Sequence, residues 1–396
     1  MRKVLIVMGT RPEAIKLAPV INLLKNQRPP LTTEVCVTAQ HREMLDQVLT
    51  IFRITPDYDL DIMKKDQSLF NITTGILNDL QKVFVQAKPS LVIVQGDTTT
   101  AFIAGLVAFY LKIPIGHIEA GLRTYEKYNP FPEETNRHLL SVLADYHFAP
   151  TERNRTNLIN EGVLPEGIWV TGNTVVDALL DVVKRQDSEM VQGELEEYFY
   201  RRWKIPILRQ YSSKSGAPSP RLILVTGHRR ESFGEKFRNI CFAIKDIAET
   251  RSDVVIVYPV HLNPNVQTPV KSILGGIRNI FLIDPIEYEH FVFLMKKAFL
   301  ILTDSGGIQE EAPSLGKPVL LMRETTERPE GVEAGVVKIS GTDRMKIVRD
   351  ILSLLDDNET YQKMSTSANP FGDGRASERI VEVVKSLLNN ANNTVP

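Results

Sequence analysis

The stretch Thr303-Asp304-Ser305-Gly306-Gly307-Ile308-Gln309-Glu310-Glu311 has the residue types to hold a phosphorylated ligand. The apolar run Ala298-Phe299-Leu300-Ile301-Leu302 before it reads as a buried strand, and a helical pattern starts at the small polar turn. Ser305, Gly306 and Gly307 would leave bare backbone N–H groups at a helix N-terminus, where the macrodipole favours an anion. Glu311 falls about one helical turn further on, where a carboxylate can accept hydrogen bonds from a ribose diol. No Lys follows the glycines, so the turn departs from G-x-x-x-x-G-K-[ST] and its ATP chemistry. Ser-Gly-Gly also makes ordinary strand-to-helix turns, so the turn alone does not decide.

Four further groups sit just past apolar runs. In Gly9-Thr10-Arg11-Pro12-Glu13, Arg11 and Lys16 place two cations at a strand-end loop, as an anionic substrate requires; Lys16 read alone is equally a surface lysine. In Gly96-Asp97-Thr98-Thr99-Thr100, Asp97 is placed either to act or to cap a helix. In Gly116-His117-Ile118-Glu119-Ala120-Gly121-Leu122-Arg123, Glu119 ends an apolar strand, where a carboxylate is costly unless paired; Arg123 is its candidate partner. In Asn129-Pro130-Phe131-Pro132-Glu133-Glu134, prolines stiffen the loop and Glu133 opens a helix, where acids are often only dipole partners. The second half adds His228 and His261. Acids in one half and an anion clamp in the other suggest proton chemistry on a sugar carried by a nucleotide. No Cys/His metal spacing occurs, and G-x-G-x-x-G is missing after the first strand, which argues against NAD.

Alternating strands and helices must position these groups. Residues 3–8, 34–37, 91–94, 113–118 and 146–148 read as strands, with helices such as 13–25 and 68–87 between them. The alternation restarts at 222–225, 254–258, 280–283, 300–302 and 319–322. Val7-Met8-Gly9-Thr10-Arg11-Pro12-Glu13 is echoed by Val225-Thr226-Gly227-His228-Arg229-Arg230-Glu231, a strand, a Gly turn and basic residues opening a helix. This predicts two similar α/β domains of parallel sheet, active at the carboxyl ends of the strands. The boundary is placed near 172–178, giving an N-terminal domain 1–172, a C-terminal domain 173–368 and a terminal segment 369–396. A charged helical insert is expected at 182–202, a surface loop at 211–220, a last helix at 376–388 and a frayed tail from 389.

The chain's 396 residues, 43% hydrophobic and 24% charged, suit a globular protein of two or three domains. A net charge of −1 supports neither nucleic-acid nor membrane-surface binding. Cys36 and Cys241 read as small buried hydrophobes in a reducing compartment. The first apolar run is too short for a signal peptide, and nothing reaches the roughly 18 apolar residues of a membrane span, so a cytoplasmic location is expected.

At these motifs the chain closely resembles the non-hydrolysing UDP-N-acetylglucosamine 2-epimerases of bacteria. Gly9-Thr10-Arg11-Pro12-Glu13-Ala14-Ile15-Lys16, Thr38-Ala39-Gln40-His41-Arg42, the Asp97 and Glu119 motifs, Pro132-Glu133-Glu134 and Thr226-Gly227-His228-Arg229-Arg230-Glu231 all match. So do residues 304–311 and Arg323-Glu324-Thr325-Thr326-Glu327-Arg328-Pro329-Glu330; only about 186–220 looks individual. The resemblance implies a GT-B fold: two Rossmann-like domains, a deep cleft, and a last helix crossing back to the first domain. It implies reversible interconversion of UDP-GlcNAc and UDP-ManNAc, with elimination of UDP to 2-acetamidoglucal and re-addition, feeding surface polysaccharide synthesis. It implies no cofactor and a homodimer. Arg11, Ser305, Gly306, Gly307 and His228 would hold the diphosphate, Glu311 the ribose and Phe291 the uracil. Lys16, Asp97, Glu119, Glu133 and Arg328 carry over as substrate or catalytic residues, with the base undecided among the carboxylates. Ile286 stands where some members carry Gln near the uracil, so a side-chain contact there is lost. Some members bind a second, regulatory UDP-GlcNAc; Gln40, His41, Arg229 and His261 match positions lining it, while Glu43 and Asp66 depart from the pattern and should weaken it. The rivals are a hydrolysing relative releasing ManNAc and UDP, a GT-B glycosyltransferase, and a nucleotide-sugar sensor, for which three carboxylates would be superfluous.

Overall fold

A computed structural model describes residues 2–27, 31–39, 42–62, 68–205 and 220–390. Gln40, His41, Asp66, the side chain of Glu43, most of the expected surface loop (211–219) and residues 391–396 lie outside them. The chain forms two compact units, Met1–Ala178 with Phe371–Pro396, and Leu179–Pro370.

The first unit carries seven strands: β1 (Lys3–Met8), β2 (Thr32–Val37), β3 (Tyr58–Asp59), β4 (Leu91–Gln95), β5 (Ile115–Ile118), β6 (Tyr146–Ala149) and β7 (Ile168–Val170). All neighbours are parallel, in the order β3-β2-β1-β4-β5-β6-β7. Val4, Leu5, Ile6, Val7 and Met8 are each 0% exposed, which explains why β1 is apolar at every position and does not alternate: helices cover both faces of a parallel sheet. The second unit repeats the plan with β8 (Arg221–Thr226), β9 (Val254–Pro259), β10 (Ile280–Ile283), β11 (Leu300–Thr303), β12 (Val319–Leu321) and β13 (Val337–Ile339), ordered β10-β9-β8-β11-β12-β13. In both sheets the first strand lies between the second and the next strand after the order reverses. That is the Rossmann order, with its ligand-binding crevice at the carboxyl ends of the strands.

Several expectations need correction. The insert at 182–202 is two helices, Thr174–Arg185 and Glu189–Trp203. Ser188 ends the first pattern by accepting the N–H of Val191, and Gln186 turns away to donate to the carbonyl of Glu289. The helix expected to open at Arg229 starts only at Glu235, after a short 3-10 turn, Arg230–Ser232, and Gly234 at φ 86°. The last helix, Ala376–Asn390, includes Asn389 and Asn390 of the expected tail, and packs on the helix Arg11–Lys25. Among the described residues no helix is long and apolar enough to cross a membrane.

Candidate functional site

In the first unit the helix Arg11–Lys25 begins directly after β1. Glu13, 1% exposed, folds back and accepts the N–H groups of Gly9 (3.0 Å) and Thr10 (2.7 Å) with one oxygen. Its other oxygen takes the hydroxyl of Thr98 at 2.7 Å, tying the β1 loop to the β4 loop. A Cβ on Gly9 would meet the hydroxyls of Thr100 and Thr38 at 2.3 and 2.4 Å, so only glycine fits that crossing. Arg11 is half-buried at the start of the helix.

Lys16, one turn into the same helix, donates to Glu119 Oε1 at 2.5 Å, with 12% of its side chain and 9% of that of Glu119 exposed. It is therefore an enclosed ion-pair partner and not a surface lysine. Glu119 sits just past β5 at φ 65°, a left-handed conformation that turns its carboxylate away from the strand direction. Gln95 and Asn173 (3.0 Å) donate to it as well. Arg123 does not: it forks onto Glu161, with Nη2 to Oε2 at 2.6 Å and Nε to Oε1 at 2.8 Å. The reason is the backbone, because Gly121 at φ 89° lies against the Asn154 backbone and carries the chain away from Glu119.

Asp97 does not cap the following helix. Thr98 does so, accepting the N–H of Ala101 at 3.0 Å. The Asp97 carboxylate instead meets Arg137 at 2.7 Å, and its carbonyl accepts from Asn136 at 3.0 Å. Both partners come from the helix Glu133–Leu143, whose first residue is Glu133. Burial raises the Asp97 pKa; Arg137 opposes that, Glu119 and Glu133 push it further up, and Lys16 opposes them. Asp97, Glu119, Glu133 and Lys16 thus form one electrostatic cluster. Glu134, not Glu133, is the structural acid: it is 1% exposed and accepts the N–H groups of Thr124 and Tyr125.

In the second unit Asp304 follows β11 and is 2% exposed. One of its oxygens accepts the N–H groups of His228 (2.7 Å) and Arg229 (2.8 Å), which fixes the loop after β8. The His228 ring stacks on His261 at 5.2 Å, and its Nδ1 lies 3.6 Å from the other Asp304 oxygen. Burial lowers the His228 pKa; Asp304 opposes this, while His261 and Arg229 add to it. His228 therefore stands neutral at pH 7, ready to donate one hydrogen bond.

Ser305 precedes the helix Gly306–Glu311, which is only six residues long and continues as a 3-10 turn, Ala312–Leu315. The Arg328 guanidinium lies over this turn: a Cβ on Gly306 would meet it at 2.6 Å. Arg328 also donates to Glu310 (2.5 Å) and Glu327 (2.9 Å). Burial works to raise the Glu327 pKa, but Arg328, Arg323 and Arg229 outweigh it and hold the group at about 2. Glu311 reaches back towards Gly307, 3.6 Å from where its Cβ would be, and accepts from the Tyr288 hydroxyl at 2.6 Å. Phe291, on the helix Tyr288–Lys297, and Ile286, in the segment after β10, are half-buried.

The structure thus gathers Lys16, Asp97, Glu119 and Glu133 in the first unit. In the second it joins His228, Arg229 and His261 through Asp304 and stacking, and Arg328 and Glu311 with the 305–307 turn. Sequence reasoning passed over Glu13, Gln95, Arg137 and Asn173. Only Arg137 left a signal, four residues after Glu133 and so on the same helix face.

A family model described as UDP-N-acetylglucosamine 2-epimerase matches residues 24–385. A UDP-N-acetylglucosamine 2-epimerase of Campylobacter jejuni is 53% identical, covering 98% of this chain and 99% of that protein. The protein of that name from Escherichia coli K12 is 55% identical, covering 97% and 98%. Among solved structures, a UDP-GlcNAc 2-epimerase from Neisseria meningitidis bound to UDP-GlcNAc is similar with a TM-score of 0.89 and 50% identity, covering 97% and 100% of the two chains. One from Methanocaldococcus jannaschii in complex with UDP-GlcNAc and UDP has a TM-score of 0.78 and 34% identity, covering 97% and 99%. The fold is accordingly GT-B-like.

Proposed function

The chain belongs to the UDP-N-acetylglucosamine 2-epimerase family, and from that membership we propose that it interconverts UDP-GlcNAc and UDP-ManNAc without releasing the sugar as a hydrolysis product. The C2 proton of the substrate lies beside no carbonyl, so direct deprotonation is slow. Elimination solves this. The C1–O bond breaks with its electron pair leaving on the β-phosphate, the C2–H bond breaks with its proton going to a carboxylate, and a C1=C2 double bond forms. UDP then re-adds while a proton is delivered to the opposite face of C2.

The observation that carries this reading is the grouping of Asp97 and Glu119 with Lys16. An acid held above its ordinary pKa next to a lysine-paired one is the arrangement that lets one carboxyl carry the proton while another faces oxocarbenium charge. Arg11, His228, Ser305, Gly306, Gly307 and Arg328 are assigned to the diphosphate, Glu311 to the ribose, and Phe291 and Ile286 to the uracil. Arg229 and His261, adjoining His228, are assigned to a regulatory nucleotide sugar. We infer a cytoplasmic homodimer. Buried, free Cys36 and Cys241 suit a reducing compartment, and exposed Phe109, Tyr110, Leu139 and Val142 on two contacting helices suit a self-association face.

The test is incubation of the protein with UDP-GlcNAc alone in heavy water, with products identified by NMR. UDP-ManNAc carrying deuterium at C2 is expected. Free ManNAc with UDP would mean hydrolysis, and no turnover without an added acceptor would mean a glycosyltransferase. Asp97→Asn, Glu119→Gln and Glu133→Gln should each lower kcat by about 10²–10⁴-fold with little loss of UDP affinity.

A further inference from the structure

The second unit holds a cavity of about 270 Å³, at the opposite end of its sheet from His228 and Asp304. It is lined by Pro220, Arg221, Leu222, Lys297, Ala298, Phe299, Lys317 and Tyr361. Arg221 begins β8, Phe299 immediately precedes β11, and Lys317 lies two residues before β12. These three strands are neighbours and parallel, so their amino ends share this edge of the sheet. His228 and Asp304 follow the carboxyl ends of β8 and β11, roughly 10–20 Å away at about 3.3 Å per strand residue.

Three cations line the cavity, but they are not equivalent. Arg221 binds Asp253 and the Leu355 carbonyl, and its guanidinium lies 5.1 Å over the Phe299 ring. Lys297 is paired with Glu196 at 3.1 Å. The Lys317 ammonium has no hydrogen bond or ion pair among the described residues, although the residue is half-buried. Gly316 at φ 63° sets its backbone, and the Lys317 N–H is spent on the carbonyl of Ala312. Phe299 and Tyr361 stack at 4.1 Å and form a rigid wall. A half-buried ammonium without a counter-ion costs free energy that an arriving anion would return.

We propose that this cavity is a binding site for a small phosphate-bearing anion, with the Lys317 ammonium as its counter-charge and Arg221 and Lys297 adding positive field. The volume admits inorganic phosphate or a short phosphate monoester; a nucleoside diphosphate exceeds what a cavity of this size holds. Burial already pushes the Lys317 pKa down, and a bound phosphate would push it back up.

The experiment is calorimetric titration of the full chain with inorganic phosphate, and separately with glycerol 3-phosphate, in the presence of saturating UDP so that the nucleotide site is already filled. The wild type should still bind one equivalent. Lys317→Met, which keeps the length of the stem, should weaken binding at least tenfold; Lys317→Arg should retain it, and both should bind UDP as the wild type does. Tighter binding of glycerol 3-phosphate would identify the ligand as a phosphate monoester, and equal binding as free phosphate. Absence of phosphate binding under saturating UDP, or equal binding by Lys317→Met, would overturn the proposal.

Discussion

Glu13 is the residue whose removal should separate positioning from chemistry. Its carboxylate is fully enclosed and satisfies two backbone N–H groups of the β1 loop and the Thr98 hydroxyl of the β4 loop. It thereby sets Arg11 relative to Asp97 without being one of the acids grouped around Glu119. Burial raises its pKa while the hydrogen bonds from Thr98, Thr10 and Gly9 oppose the rise. Glu13→Gln keeps the volume but gives the two backbone donors a weaker acceptor. We expect kcat to fall by roughly tenfold or more through misplacement of about 1 Å, with the chain still folded by circular dichroism. Unchanged kcat would reduce Glu13 to a helix-capping role. This residue also marks a limit of reading the sequence. Asp97, Glu119 and the 305–307 turn were visible because each follows an apolar run and departs from its chemistry. Gln95 and Asn173, the partners that orient Glu119, were not, because each role depends on pairing with a residue 24 or 54 positions away. Arg123 was misassigned for the same reason: proximity in sequence cannot reveal that Gly121 turns the chain away.

At the scale of elements, the long apolar strands and capped helices were legible, and the short sheet-edge strands were not. β3, β7 and β13 have two, three and three residues, too few for any periodicity to show. They exist because a neighbouring strand offers free backbone groups. The last helix illustrates a contact of high sequence separation that only the fold can supply. Asp177, 8% exposed, accepts the N–H groups of Ala376 and Ser377 (2.7 Å for the latter) and so caps the helix Ala376–Asn390 from about 200 residues away. Asp177→Ala should cost about 1–2 kcal/mol, in line with a lost N-cap that leaves buried donors unpaired. Hydrogen exchange should show the extra opening first in residues 376–381. Uniform destabilisation without local opening would mean that this helix is held by its apolar face on Arg11–Lys25 and not by its cap.

At the scale of the whole molecule, stability should fall on mild acidification, and the cause can be located. His117 and His147 face each other in register on β5 and β6, 0% and 1% exposed. His117 Nε2 lies 2.8 Å from the Gly96 carbonyl, so the neutral ring donates there; burial lowers its pKa to about 3, with the His147 neighbour adding to the drop. Burial likewise lowers His147 to about 4. Both groups therefore have folded pKa values below the unfolded value near 6.5. Above pH 6.5 neither form binds the proton and nothing is lost. Below it the unfolded chain takes up protons that the folded chain refuses, so stability declines as pH falls from 6.5 towards 4, by at most about 1.4 kcal/mol per pH unit for each histidine. The depressed carboxylates act lower: Glu327 and Asp373, both held near 2, keep their contribution until the pH drops below the ordinary carboxylate range. His228 and His290 in the second unit shift in the same direction as the buried pair, so some slope should survive any change to the first unit. The measurement is urea unfolding at pH 7.5, 6.5, 5.5 and 5.0 for the wild type and for His147→Gln. The wild type should lose stability progressively below pH 6.5, and the variant, though weaker at pH 7.5, should lose it more slowly. Parallel slopes for the two proteins would show that the buried histidine pair does not set the acid limit of this fold.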